Sequence, residues 1–161
     1  MNLQKLFEMQ KGLDAFIEKT QNIERDVFKE KGMALMVELA ELANETRCFK
    51  FWSTKGPSER AVILEEYVDS IHFILSLGLM KGYTSMEKWP VIEEKRDLTE
   101  LFLTTQSEIL SFVNKPTEDL YLKVWQCYGL IAYNLDFTFE DVVTAYIAKN
   151  EENYNRQRSG Y

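Results

Sequence analysis

Four carboxylates stand out by type and spacing. Glu38 and Glu41 lie three residues apart, and so do Glu66 and Asp69. On a helix that interval puts two side chains about 60° apart on one face, one turn displaced. The stripe through Glu38 holds Ala34, Leu35, Glu41, Leu42 and Glu45, and the stripe through Glu66 holds Val62, Asp69, Phe73 and Leu77. An acidic pair on a helix ordinarily marks a solvated face. Here both pairs sit among residues that should face a core, on consecutive helices. A carboxylate taken out of water needs a cation or a proton. Four of them facing across two helices would gather a divalent metal. Hard oxygen ligands without nearby His or Cys favour Mg²⁺, with Mn²⁺ as the alternative, over Zn²⁺.

A second group of reactive side chains closes the chain. Lys149, Asn153 and Arg156 follow one another at i, i+4 and i+7 on one helical face, with Asn150 close by. Cations and amides facing one way suit an oligophosphate. Cations near a helix C-terminus are also a common solvated ending. Joined to a carboxylate cluster, they make a metal–triphosphate site coherent. Phe73, one turn beyond Asp69, could pack against a sugar or base, or fill the core. Trp52 lies in the break between the acidic helices, where a loop could close over a ligand. His72, the only histidine, points about 100° from Phe73 on the wheel and reads as structural. With one histidine so placed, a Ser-His-Asp or Cys-His nucleophile is not supported. No glycine-rich phosphate loop occurs, so phosphate handling would go through metal.

The elements that must carry these residues are helical almost throughout, by their 3.6-residue apolar period. Helices are expected over Leu3–Thr20, Arg25–Arg47, Ser58–Lys81, Asp97–Asn114, Pro116–Asn134 and Thr138–Arg158. Ser58 is a plausible N-cap of the third, and Gly82 its stop. Asp97 with Glu100, and Thr138 with Asp141, read as capping boxes. Tyr83–Lys95, with Trp89-Pro90, reads as a connection with at most one helical turn. No strand pattern is present. The fold expected is all-α, a bundle of about six helices with the active site between the two acidic helices. Helices four and five carry bulky apolar residues around much of their circumference, which is core or, for part of it, a subunit interface.

The chain has 161 residues, which fits one domain over residues 1–161. Apolar residues make up 45%, enough for a core, and the net charge is −7. An acidic chain is a poor partner for nucleic acid backbones. Met1-Asn2-Leu3-Gln4 leads directly into a helical pattern, so no leader is expected, and no apolar run is long enough for a bilayer. Cys48 and Cys127 read as free buried thiols of a reducing, cytoplasmic setting.

Three stretches resemble motifs of the dimeric all-α dUTPases. Glu38 to Trp52, with its Phe49-Lys50-Phe51-Trp52 end, is similar to their first metal motif. Glu66 to Gly78 resembles the second. Tyr146 to Tyr161, with Lys149-Asn150, Asn153 and Arg156-Gln157, resembles the phosphate motif. Gln10 to Asp14 resembles the N-terminal base-recognition segment. The likeness spans nearly the whole chain, in family order. Acidic pairs alone occur across the wider all-α nucleoside-triphosphate pyrophosphatase group, which includes MazG-like enzymes and dCTPases. The resemblance implies a homodimer that hydrolyses dUTP to dUMP and pyrophosphate, by water attack on the α-phosphorus. It implies Mg²⁺ on Glu38, Glu41, Glu66 and Asp69, with Glu38 as the base. Asp69 and Phe73 would meet the deoxyribose, and Gln10 and Trp52 the uracil. Lys149, Asn153 and Arg156 would hold the outer phosphates, with Asn150 nearer the base or sugar. The same chemistry on another nucleotide, such as dCTP or a modified dNTP, is the alternative. A non-catalytic helical interaction module is the third reading.

Overall fold

The computed structural model describes residues 2–161. Its order is α1 (Leu3–Gln21), α2 (Phe28–Thr46), α3 (Arg60–Lys81), α4 (Leu98–Asn114), α5 (Glu118–Asn134) and α6 (Phe139–Arg158). No strand occurs among the described residues, and no helix among them is long and apolar enough to cross a membrane. The fold is all-α, with six helices among the described residues, as the periodicity predicts.

α3 is the axis of the bundle. From Tyr67 to Gly78 its only residues that are not fully buried are Asp69 and Phe73. A helix apolar on every side must be enclosed. α2 packs along it, α1 and α6 cover a further side, and α4 and α5 pair with each other, α4 packing on α2 while α5 meets α3 through its tyrosines. Much of the core is aromatic: Tyr67, Trp125, Tyr128, Tyr121 and Phe112 are all fully buried. Two of their hydroxyls find backbone partners. Tyr67 donates to the carbonyl of Tyr128 at 2.7 Å and Tyr121 to that of Ile74 at 2.8 Å. Each such bond stabilises by about 1 kcal/mol net, and losing it would leave a buried carbonyl short of a partner.

The helix ends follow local chemistry. α6 opens on a full capping box between Thr138 and Asp141. Asp97 accepts from the Glu100 amide at 3.0 Å, which is the forward half of a box. Gly82 closes α3 in the left-handed conformation, at φ 75°. Ser58 does not cap α3. Its hydroxyl donates to Glu45 instead, and the helix starts two residues later. α2 starts at Phe28 rather than Arg25, because the Asp26 carboxylate takes the Phe28 amide at 2.8 Å and turns the chain there. Cys48 is exposed rather than buried, at the end of α2, while Cys127 is buried as expected. The first residue of α3 clamps the start of α6. Arg60 donates to the Asp136 carbonyl and to Asp141, both at 2.9 Å, and lies over the Phe137 ring.

The stretch between α3 and α4 contains no helical turn, yet it is tied down. Gln4 donates to the carbonyls of Thr84 and Met86, and the Leu3 amide to that of Glu87. Trp89 enters the core, stacked on Phe139 at 5.4 Å and edge-on to Trp125 at 5.7 Å. The aromatic residues of α5 are accordingly core of the same chain. On α4, Leu103 and Leu110 remain exposed.

The Trp89-Pro90 crossing requires a glycine in the middle of α5. A Cβ at Gly129 would lie 2.2 Å from the Pro90 carbonyl oxygen, a backbone atom that cannot rotate away. Gly129→Ala is therefore expected to destabilise by about 1–3 kcal/mol despite alanine's better helix propensity. Urea denaturation midpoints of the two proteins check this.

Candidate active site between the acidic helices

α2 and α3 run antiparallel in a register that pairs Glu38 with Asp69 and Lys31 with Ser76. One carboxylate oxygen from each of Glu38, Glu66 and Asp69 lies within 4.8 Å of the others. Lys31 Nζ donates to Ser76 Oγ at 2.7 Å. Seven residues separate the two levels on both helices, which is about 10 Å along the axis. Between them opens a cavity of about 350 Å³. Glu38 and Asp69 stand at one end, and Lys31, Ser76, Asp14 and Gln10 at the other. Phe73 and His72 lie between the two, and Leu13, Ile17, Ile23 and Val27 give apolar wall. Asn153, Arg156, Gln157 and Tyr161 of the closing helix line it from α6.

The carboxylate end is electrostatically unfinished. Glu38 Oε2 and Glu66 Oε2 are buried without a hydrogen-bond partner. Burial first, then the charge of Asp69, raises Glu38 to about 8 and Glu66 to about 7. Burial raises Asp69 to about 6, against the opposing pull of Lys149. Glu41 is more exposed and falls outside the three-oxygen group, yet it is near enough to add to both glutamate shifts. Among the described residues, no Lys or Arg side chain lies within 4.0 Å of the Glu38 or Glu66 carboxylate. Orphaned buried oxygens on converging carboxylates are the donor set a hard divalent cation takes, so these residues fit a metal.

The opposite end is a closed polar ring. Gln10 Nε2 donates to Asp14 Oδ1 at 2.8 Å, and Ser76 donates to Asp14 Oδ2 at 2.7 Å. Gln10 Oε1 accepts from Tyr146 at 2.8 Å and meets His72 Nδ1 at 2.7 Å. An amide oxygen only accepts, so His72 carries its proton on Nδ1. Its Nε2 is then a bare acceptor, buried and without a partner. Burial, with Lys149 adding to it, pushes His72 down to about 3, so the ring stays neutral at working pH. His72, expected from its direction on the wheel to be structural, is buried in this network and also lines the cavity. Asp14, Lys31 and Ser76 are the other lining groups that the acidic-pair pattern does not reveal. The signal for them was present: Lys31 is seven residues before Glu38 and Ser76 seven after Asp69, so they share the acidic residues' faces.

The remaining sequence candidates are distributed unevenly. Phe73, Gln10, Asn153 and Arg156 line the cavity. Lys149 does not. It is buried at 6% exposure, with Nζ 2.8 Å from Glu65, 3.3 Å from Asp69 and 3.2 Å from Glu152. It stands behind Asp69 with its charge already engaged. Asn150 is buried next to Tyr146. Trp52 is 65% exposed and packs edge-on with Phe49 and Phe51, away from the cavity wall.

The raised carboxylates set a sign for stability. Each binds its proton more tightly in the folded chain than in the unfolded one. Between about pH 4 and pH 8 the folded state thus holds more protons, and stability falls as pH rises through that window. A bound divalent cation opposes this by favouring the ionised forms. Thermal melts without metal are expected to lose stability from pH 5 to pH 8. The gain in melting temperature on adding millimolar Mg²⁺ or Mn²⁺ should be larger at pH 8 than at pH 5. A gain independent of pH would remove these carboxylates as ligands.

No curated protein matches the chain. A family model described as dUTPase matches residues 2–161, which takes in all six helices and every residue of the cavity. The chain therefore belongs to the all-α dUTPase family and is an enzyme that acts on dUTP.

Proposed function

We propose that the cavity between α2 and α3 hydrolyses dUTP to dUMP and pyrophosphate, with Mg²⁺ held by Glu38, Glu66 and Asp69 and, at the rim, Glu41. Mn²⁺ would serve as a substitute. The single observation that carries this reading is the pair of orphaned buried oxygens, on Glu38, which lines the acidic end of the cavity, and on Glu66 beside it, in a cavity whose far end is a polar ring. When bound, the metal neutralises phosphate charge and makes a water more acidic.

The chain's own groups do the rest. Glu38 accepts the proton of the water that attacks the α-phosphorus. Its Oε2 has no partner in the fold, and a bound cation would keep the carboxylate ionised and so able to accept. The new bond joins the water oxygen to the α-phosphorus. The bond from that phosphorus to the oxygen bridging to the β-phosphorus breaks, and pyrophosphate leaves with the electron pair. Asp69 and Phe73 border the deoxyribose. A base reaching the polar ring meets Gln10, whose amide is held by Asp14 and Tyr146, and the bare Nε2 of His72. That lone pair accepts from a ring N–H, which uracil has at N3 and cytosine lacks. Asn153 and Arg156 cover the outer phosphates. Lys149 supports them from behind Asp69, with Asn150 one residue further along α6. Trp52 would reach a ligand only if its loop folds inward.

We read the chain as one domain acting as a homodimer. Its exposed apolar side chains include Met33 and Val37, one turn apart on α2, and Leu103 and Leu110 on α4. A dimer would cover such residues.

The test is a substrate panel of dUTP, dCTP, dTTP and UTP with Mg²⁺, with the products identified. Pyrophosphate rather than orthophosphate is expected, with dUTP preferred; preference for dCTP would instead select the broader pyrophosphatase reading. Glu38→Gln should lower kcat at least about 1,000-fold, in line with losing both a base and a ligand, while circular dichroism stays unchanged. Near-normal turnover in that variant would remove Glu38 as the base.

A further inference from the structure

We infer that Lys31 is the residue by which the cavity tells a carbonyl from an amino group at C4 of a pyrimidine. The inference rests on the reading of the cavity as a nucleotide site and goes beyond it. It names a group that neither acidic motif contains.

The placement follows from the helix register. Lys31 and Ser76 stand about 10 Å from the Glu38–Asp69 level, at the cavity end farthest from the carboxylates. A nucleotide whose phosphates sit at the carboxylates points its base toward the other end. The base is joined to the sugar through N1, and C4 is the ring position opposite N1. The substituent at C4 is thus the atom carried deepest, to the level of Lys31.

The chemistry at that level is one-sided. An ammonium donates three protons and accepts none. One Lys31 proton goes to Ser76 Oγ at 2.7 Å. Asp14 Oδ2 is 3.9 Å away, too far for a hydrogen bond, so the carboxylate compensates the charge without taking a second proton. Asp14 is itself occupied by Ser76 and Gln10. Lys31 and Asp14 side chains are 17% and 16% exposed, so the remaining protons meet little bulk water. They face the cavity as unspent donors. A C4 carbonyl, as in uracil, accepts one. A C4 amino group, as in cytosine, sets donor against donor and leaves the spare Lys31 protons without an acceptor. Sites that hydrogen-bond a substrate group discriminate strongly against an analogue that cannot reciprocate.

The experiment compares kcat/KM for dUTP and dCTP, with Mg²⁺, in wild type, Lys31→Met and Ser76→Ala. Lys31→Met keeps the stem and removes the donors. Its dUTP-to-dCTP ratio is expected to fall about 100-fold. Ser76→Ala removes only the hydroxyl that aims the ammonium, and the ratio should fall about 5-fold. This smaller change keeps the test valid if Lys31→Met does not fold, which circular dichroism would report. Calorimetric titration of dUMP and dCMP gives the same comparison without turnover. A ratio within twofold of wild type in the folded variants, or equal losses for both nucleotides, overturns the role of Lys31. Wild-type protein that cleaves neither nucleotide and binds neither monophosphate would instead overturn the nucleotide-site reading itself.

Discussion

Everything in this molecule turns on carboxylates held where water cannot fully solvate them. Glu38, Glu66 and Asp69 repel one another across the α2–α3 seam, and burial makes that repulsion more costly than it would be at a surface. The folded chain tolerates the arrangement because the rest of the bundle over-determines it. α3 is enclosed on nearly all sides, and the backbone between Tyr67 and Gly78 has no freedom to turn Asp69 outward. The chain spends packing energy on holding a charge pattern that only a cation or protons complete.

The two ends of the cavity are built by opposite strategies. At the acidic end, acceptors are concentrated and donors withheld. Lys149, the nearest cation, engages Asp69 alone of the three, and is shared with Glu65 and Glu152. At the other end every donor meets an acceptor except where the cavity begins. Gln10, held by Asp14 and Tyr146, fixes the tautomer of His72. Such preorganisation is what a binding site needs, since little ordering remains to be done when a ligand arrives.

Much of this was legible in the sequence, for reasons that can be stated residue by residue. Apolar periodicity located all six helices, and Thr138 with Asp141 marked the start of α6 because both halves of that capping box are local. The acidic pairs stood out because they interrupt core stripes. What stayed hidden depends on contacts between distant segments. Ser58 looks like a cap until Glu45 competes for its hydroxyl. Lys149 looks like a free cation until three carboxylates from two helices surround it. Trp52, beside a motif, seems close to the ligand, but loop geometry carries it outward. His72 turns from a core residue into a cavity wall only when α1 supplies Gln10.

The clamp that Arg60 places on the start of α6 has a geometrical effect far from itself. Asp141 and Arg156 are separated by fifteen residues of unbroken helix, roughly 22 Å of stiff rod. The rod is held again midway, by Tyr146 on Gln10 and Lys149 on Asp69. Only the seven residues up to Arg156, roughly 10 Å, extend beyond that second hold. A lean of about five degrees there carries Arg156 about 1 Å sideways, so two fastenings made elsewhere in the bundle fix where the tip of the rod stands.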